Sequence, residues 1–301
     1  MNIIRYQKYF FILPAALALL SVLAIGVWGL KVGIDLAGGS LLEVSYLEVR
    51  PAAGEVQGVV SPLALGEVRV QPTGEQGFIL RQRSLTTDEH TALLESLGTL
   101  GSVQEEQFTS IGPSLGQELM KKAWIAIALI VVSIVLFIAF VFRHVSKPIS
   151  SWKYGVVAIV TLVHDILLPV GLFALLGYAV GAEVDSLFIV ALLTILGVSI
   201  NDTIVVFDRI RENLRLNEEA RRSEPFDEVV ARSISQTITR SINTSVTVII
   251  VLVALYSLGP EATKNFALTL IVGMIAGTYS SIFLASPLLV AWERWSRKSV
   301  Q

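Results

Sequence analysis

Six long stretches of apolar residues constrain this chain more than any other feature of its sequence. A helix of about 20 apolar residues crosses the hydrocarbon core of a bilayer. Irregular backbone is excluded from contact with lipid, because its N–H and C=O groups would have no hydrogen-bond partners there. The sequence therefore predicts six transmembrane helices, at residues 9–30, 123–142, 154–177, 187–207, 242–258 and 266–292.

The composition agrees with a membrane protein and excludes several other classes. Hydrophobic residues make up 53% of the chain and charged residues only 16%, and the net charge of −2 argues against a nucleic-acid partner. The chain has no cysteine, which excludes disulfides, thiolate nucleophiles and cysteine metal sites. Its three histidines, at positions 90, 144 and 164, lack the spacing of metal ligands. We therefore expect neither a metal nor another cofactor.

The distribution of lysine and arginine predicts the orientation in the membrane. Cytoplasmic loops of membrane proteins carry an excess of these residues. The short loops at residues 178–186 and 259–265 contain Lys264 as their only lysine or arginine. The basic residues of the opposite face are Arg5, Lys8, Arg143, Lys147, Lys153, the seven arginines from Arg209 to Arg240, Arg294, Arg297 and Lys298. Both termini are therefore predicted to be cytoplasmic, and the basic segment 209–222 is predicted to contact anionic lipid.

Three segments follow from this pattern. Residues 1–30 hold the N-terminus and first helix, which is longer than a signal-peptide core and lacks a small-residue cleavage site, so we expect it to be retained. Residues 31–122 form one small extracytoplasmic domain, and residues 123–301 hold the other five helices.

The outer domain has the pattern of a ferredoxin-like α+β fold. Its strands are predicted at 41–49, 67–71, 77–83 and 102–109, and its helices at 54–63 and 87–97. Pro72, Thr73 and Gly74 are typical of the turn in a hairpin, and Thr86 or Thr87 is suited to cap the second helix. The order is βαββαβ. The predicted fold class is thus an all-α bundle of six transmembrane helices with one small α+β domain between the first and second helices.

Two acidic residues lie inside the apolar stretches. A carboxylate in the bilayer interior costs several kcal/mol unless it has a partner, a proton or access to water. Asp165 follows His164 in the third stretch, and Asp202 follows Asn201 in the fourth. One interpretation is that these side chains only hold helices together through hydrogen bonds. The other, which we favour for Asp202, is a carboxyl group that gains and loses a proton.

Arg240 stands just before the fifth apolar stretch, which also enters from the cytoplasmic side. Its long side chain could reach Asp202 and hold that carboxylate ionised, and protonation would then break the pair. The alternative is an arginine that reaches lipid headgroups. In the sixth stretch, Gly273 and Gly277 form a G-x-x-x-G pattern, which we interpret as helix packing.

Glycine-rich connectors flank the outer domain. The segment GIDLAGG at 33–39 follows the first helix, and IGPSLGQEL at 111–119 precedes the second. Glycine permits tight bends and close backbone approach. Gly33, Asp35, Gly38, Gly39 and Gly112 are therefore our candidates for a hinge motif.

The segment GVSINDTIVVFDRIREN at 197–213 closely resembles the fourth-span signature of SecF proteins in the SecD/SecF export family. GIDLAGG, IGPSLGQEL and LVHD at 162–165 resemble other motifs of the family. Leu36 stands where SecF usually has phenylalanine and SecD has leucine, but the small outer domain favours the SecF side. Around residues 217–225 the loop between the fourth and fifth helices is longer than the resemblance predicts.

The resemblance implies a subunit that forms a twelve-span complex with SecD beside the SecYEG channel in the bacterial inner membrane. Such a complex uses the proton-motive force to help secreted polypeptides cross, and it is not an enzyme. The resemblance makes Asp202 the proton carrier, Arg240 its switching partner, and Asp165 a supporting residue of the pathway, with Asn201 and His164 nearby. The resemblance places such a complex in the resistance-nodulation-division superfamily. A small-molecule transporter subunit of that superfamily and a purely structural assembly subunit remain alternatives. The two membrane acids could also suggest an intramembrane aspartyl protease. That class needs a G-x-G-D motif, which the sequences VHD at 163–165 and IND at 200–202 lack, so we reject it.

Overall fold

The computed structural model of the protein describes residues 7–141 and 149–298. The chain folds as two compact units, one made of Met1–Lys31 with Ile125–Gln301 and the other of Val32–Trp124. Several residues used to predict orientation, among them Arg5, Arg143 and Lys147, lie outside the described residues, as does His144.

Six helices of the described chain are long and apolar enough to cross a membrane, as the sequence predicts. Several extend well beyond their apolar stretches, because charged residues continue the helix outside the predicted hydrocarbon. The helices are α1 Gln7–Trp28, α5 Pro113–Val141, α6 Ser151–Val180, α7 Ser186–Glu219, α8 Phe226–Leu258 and α9 Glu261–Ser280, the last continued by α10 Ser286–Lys298.

Helices α6, α7 and α9 form the buried centre of the first unit. The G-x-x-x-G pattern of α9 lies against α7, where a Cβ atom on Gly273 would overlap the Ile195 side chain and one on Gly277 would lie 3.0 Å from the Ser199 Cβ. On α6, Gly171 leaves room in the same way for Ser21 of α1. The interpretation of Gly273 and Gly277 as packing residues agrees with these contacts.

One turn of π-helix interrupts the sixth span at Ser281–Ala285, between α9 and α10. A π turn shifts the helical register and leaves backbone groups without their usual partners. The Ser286 hydroxyl donates to the carbonyl of Ser281, the first residue of this turn, at 3.3 Å. The sequence gives no indication of this turn, since π turns have no strong residue preference.

The second unit contains a four-stranded antiparallel sheet, and the predicted ferredoxin-like fold is confirmed. The sheet order is β2-β3-β1-β4, with helices in both βαβ connections. Its elements are a short α2 Ile34–Ala37, β1 Gly39–Tyr46, α3 Ala53–Val60, β2 Arg69–Thr73, β3 Gly77–Gln82, α4 Thr87–Gly98 and β4 Val103–Ile111, with a 3₁₀ turn at Ser61–Leu63 after α3.

Alternating residues of the two central strands bury one face of this sheet. Leu42 and Val44 of β1 and Phe78 and Leu80 of β3 are almost inaccessible to solvent, and they pack with α3 and α4. Leu42 lies opposite Leu80, and Val44 lies opposite Phe78, so the two strands present paired apolar side chains to the core.

The hairpin between β2 and β3 turns later than predicted. Pro72 and Thr73 belong to β2 and pair with Phe78 and Gly77, and the turn begins at Gly74. The sequence prediction placed all three turn formers in the loop. Proline is tolerated here because β2 is an edge strand, where the missing N–H removes no bond to a second neighbour.

The two glycine-rich connectors meet within this second unit. Gly38 has φ +80°, and a Cβ on it would lie 2.7 Å from the Pro113 Cα atom. A Cβ on Gly116 would lie 2.6 Å from the Gly38 nitrogen. The backbones of the two connectors are thus in contact, at positions where a side chain larger than that of glycine would not fit. At Gly112 the position of an added Cβ is open, so this residue does not need to be glycine for lack of space. Gly116 is a contact residue that was not predicted from the sequence.

Candidate functional site

A fully buried carboxyl group joins three helices of the membrane unit. Asp165 of α6 has no exposed surface. Its Oδ2 atom accepts hydrogen bonds from the hydroxyl of Ser199 on α7 and from that of Ser280 on α9, the latter at 2.7 Å. Its Oδ1 atom lies 2.9 Å from Nδ1 of His164. We call Asp165, His164, Ser199 and Ser280 the Asp165 cluster.

The local sequence explains why these groups meet. Gly277 lets α9 approach α7 at Ser199, and Ser280 follows one turn later. Since helical residues three or four apart share a face, this contact brings both hydroxyls toward α6. The sequence pattern of Gly273 and Gly277 predicted packing, and neither Ser199 nor Ser280 was selected as a site residue. The available signal was a serine three residues before Asp202 in an apolar stretch.

Asp202 lies one turn further along α7 than Ser199. Its side chain is only 6% exposed. Within the described part of the chain, its carboxylate makes neither a hydrogen bond nor a direct ion pair. The Arg240 guanidinium of α8 is exposed and interacts with it electrostatically from a greater distance. The two predicted partners are therefore near each other without contact.

The remaining predicted site residues fall in different places. Asn201 is exposed on α7, because the helix turns adjacent side chains to different faces. A role for Asn201 as buried hydrogen-bonding glue within this chain is therefore wrong. His164 belongs to the Asp165 cluster. The hinge candidates Gly33, Asp35, Gly38, Gly39 and Gly112 all belong to the outer unit.

Polar contacts fix the register of α7 against α8 beyond the apolar stretches. The Asn213 amide donates to the Ser233 hydroxyl at 2.8 Å and to Gln236 at 2.9 Å. Residues around 217–225 form the tip of this helical hairpin, where Asn217 donates to Glu224 at 2.7 Å. Helix α7 continues to Glu219 and α8 begins at Phe226, so residues 220–225 make the connection. Arg240 still lies within electrostatic range of Asp202.

A row of hydroxyl groups runs along the buried side of α8. Ser233, Thr237, Ser241 and Ser245 follow one another at intervals of four residues and are all buried. Ser245 accepts a hydrogen bond from Thr278 of α9 at 2.5 Å. These side chains add polar lining to the interior of the bundle on the side of Arg240.

Comparison with known proteins agrees with this architecture. The family model described as "Protein export membrane protein SecD/SecF, C-terminal" matches residues 90–295. The protein translocase subunit SecF of Thermobaculum terrenum is 40% identical, with 97% of this chain and 94% of the relative aligned. SecF of Anaerolinea thermophila is 35% identical over the same shares.

A solved structure shows the same fold. The crystal structure of SecDF from Thermus thermophilus, described as a translocon-associated membrane protein, superposes with a TM-score of 0.84 at 31% identity. The match covers 98% of this chain and 39% of that longer chain. The chain therefore belongs to the SecD/SecF family of protein-export membrane proteins, as a member of the SecF type.

Proposed function

We propose that this chain is the SecF subunit of a SecD–SecF complex that uses the proton-motive force to assist Sec-dependent export across the bacterial inner membrane. In this proposal, proton transfer at Asp202 is coupled to movement of the outer domain, and the chain is not an enzyme. The relatives' names, translocase subunit SecF and SecDF, support the export role. The partners would be SecD, the SecYEG channel, the secreted polypeptide, protons and membrane lipid.

The single observation that carries the proton step is the environment of Asp202. A buried carboxylate with no direct partner is costly in an apolar environment, whereas a protonated carboxyl group is not. Arg240 lies within electrostatic range and favours the charged form when the two side chains approach. In this proposal the pair has two arrangements, one with a proton on Asp202 and one with Arg240 close to the ionised carboxylate. This is the behaviour required of a proton-driven switch.

The available energy is sufficient for such a switch. One elementary charge that crosses 100 mV yields about 2.3 kcal/mol. At 1.4 kcal/mol for each factor of ten, this shifts a two-state equilibrium roughly fiftyfold. The resulting movement of the outer domain would be transmitted or permitted by the hinge motif, which consists of Gly33, Asp35, Gly38, Gly39 and Gly112.

The topology of the proposal follows the charge distribution. Both termini lie in the cytoplasm, residues 31–122 face the extracytoplasmic side, and residues 123–301 return the chain through the membrane five times. The proton path then runs through the membrane unit past Asp202, with Asp165 and His164 as further members. Asn201, which faces outward from this chain, would contribute only where a partner helix or water covers it.

The test is the export rate of a Sec substrate into vesicles that contain the whole translocation machinery, measured with and without a proton gradient. We expect Asp202→Asn to remove the gradient-dependent part of the rate and to leave the remainder. The matched control is Asp208→Asn, because Asp208 lies on the same helix but is exposed and pairs with Arg211. A wild-type gradient response in Asp202→Asn, with normal expression and SecD binding, would leave the chain a structural subunit.

A further inference from the structure

The two oxygens of the Asp165 carboxyl group have separate sets of partners. Oδ2 receives both serine hydroxyls, and Oδ1 faces Nδ1 of His164 alone. Because the serines come from two other helices, they hold the carboxyl plane in one orientation and direct Oδ1 at the imidazole. A carboxyl group without them could rotate about its Cβ–Cγ bond.

The second imidazole nitrogen of His164 has no such anchor. His164 is 7% exposed, and its Nε2 atom is buried without a hydrogen-bond partner among the described residues. A buried imidazole with one nitrogen fixed on a carboxylate and the other unpartnered is arranged to exchange a proton at the second nitrogen. The structure therefore offers an exchange atom at Nε2.

We propose that Ser199 and Ser280 are positioning residues for a proton relay made of His164 and Asp165, in which protons enter and leave at His164 Nε2. The proposal deepens, and rests on, the proton-driven function proposed above. It assigns a second proton-holding position to the membrane unit, distinct from Asp202, and gives Ser199 and Ser280 a role in it.

The step balances with the uptake of one proton. Before uptake, Nδ1 carries the imidazole proton and donates to ionised Oδ1, while Oδ2 accepts from both serines. A hydronium ion that reaches the site then gives its proton to Nε2 and leaves as water, and the Nδ1 proton moves to Oδ1. The neutral carboxyl group now donates from Oδ1 to Nδ1, and its Oδ2 still accepts from both serines. The cluster gains one proton without the loss of a hydrogen bond, and release reverses the step.

The serines are needed because Oδ1, and not Oδ2, must face the imidazole, and the two hydroxyl groups hold Oδ2 on the other side. If the carboxyl group rotated, Nδ1 would lose its fixed partner, and either imidazole nitrogen could carry the proton. The single Ser280 hydroxyl proton is shared between Oδ2, at 2.7 Å, and the Gly277 carbonyl, at 3.1 Å, and this second acceptor restrains the hydroxyl within its helix. Ser199 supplies the second donor from α7, one turn before Asp202.

The elements around α6 bring few other ionisable side chains into or next to the apolar spans. Helix α7 contributes Asp202, and α8 contributes Arg240 beyond it. Helix α9 contributes Tyr279, whose hydroxyl donates to the Phe10 carbonyl at 3.3 Å, and α10 contributes Glu293, which pairs with Arg297. Helix α1 has no ionisable side chain between Phe10 and Trp28, and the π turn has none.

The test is ¹⁵N NMR of the full chain, labelled at histidine, in lipid bilayers from about pH 8 to about pH 5, the range in which histidines titrate. The chain has three histidines, and His164→Gln identifies the signal of the third. For the wild type we expect His164 to change from a neutral imidazole protonated at Nδ1 to a neutral imidazole protonated at Nε2. Asp165→Asn cannot accept the proton, so the same pH change there should produce the doubly protonated imidazolium or no uptake.

The serine variants test the positioning role. Ser199→Ala and Ser280→Ala should each convert the single neutral form near pH 8 into a mixture of both neutral forms. The control is Ser281→Ala, because Ser281 is equally buried but donates only to the Thr278 carbonyl of its own segment, at 3.1 Å. That variant should match the wild type.

Two results would overturn the proposal. One is a wild-type His164 that becomes doubly protonated or does not change with pH. The other is a set of serine variants whose spectra match those of the wild type. The outcome is separable from the export test. If Asp202→Asn exports at the wild-type rate while the His164 conversion is intact, the proton-driven function fails and the relay stands.

Discussion

Glu89, at the start of α4 in the outer domain, has an unusually acidic carboxyl group. Both oxygens bind the Arg83 guanidinium, at 2.5 and 3.0 Å, and one also accepts from the Thr86 backbone N–H at 2.9 Å. In return, the Thr86 hydroxyl accepts from the Glu89 N–H, which completes a capping box. The Arg83 hydrogen bonds, followed by those of Thr86, lower the pKa of Glu89 from 4.5 to about 2.

We expect this carboxylate to hold the first turn of α4 in a pH-dependent way. A lowered pKa in the folded state means that the stabilisation is present above pH 4.5 and is lost as the pH falls toward 2. Amide hydrogen exchange near Glu89 should therefore be faster in Glu89→Gln than in the wild type at pH 6, and the difference should shrink below pH 4.5. Glu95→Gln, at an exposed position of the same helix, is the control. Equal exchange in Glu89→Gln and wild type at pH 6 would contradict the argument.

The two acidic residues of the membrane unit could be selected as site candidates from the sequence alone. Asp165 and Asp202 stand out because carboxyl groups are rare in apolar stretches, and the structure buries both. The position of Ser199 before Asp202 was only a weak signal, because serine is common in membrane helices. Only the approach of three helices gives Ser199 and Ser280 a shared acceptor. The Asp202–Arg240 pair remains a prediction, since the two side chains interact without direct contact.

Helix α9 packs on α7 through glycine, and this contact sets the geometry of the Asp165 cluster. Gly273 faces Ile195, and Gly277 faces Ser199, one turn nearer the cluster. In lipid, such close approach is a main source of helix association, because dispersion contacts replace the hydrophobic driving force. The spacing of the glycines indicated packing, but only the fold identified α7 as the partner.

A larger side chain at this contact should force α7 and α9 apart. Overpacking of this kind costs about 1–3 kcal/mol. We expect Gly273→Leu to lower the thermal unfolding midpoint of the chain in detergent. Gly197→Leu is the matched control on the facing helix, because Gly197 is exposed and no atom lies within 4 Å of its ideal Cβ position. An equal midpoint for Gly273→Leu and the wild type would show that the helices can repack around the added side chain.

The six helices define how the whole chain should cross the membrane. The basic turn between α7 and α8 is predicted to be cytoplasmic, and the turn between α8 and α9 extracytoplasmic. The chain has no cysteine, so single cysteines can be labelled without background. In oriented vesicles, a membrane-impermeant maleimide should label Arg222→Cys only from the cytoplasmic side and Glu261→Cys only from the other side. Reversed labelling would invert the proposed topology.

The membrane class, the number of spans and the βαββαβ order can be predicted from the sequence, because they depend on apolar length and on local periodicity. The sequence also identified the two buried acids, since a charge in an apolar stretch is conspicuous wherever the helix packs. The tertiary structure alone decided the turn position at Gly74, the π turn after Ser280, the outward direction of Asn201 and the partners of Asp165. Each of these depends on which surfaces of distant segments meet, and a hydrogen bond between residues 115 positions apart leaves no local pattern in the chain.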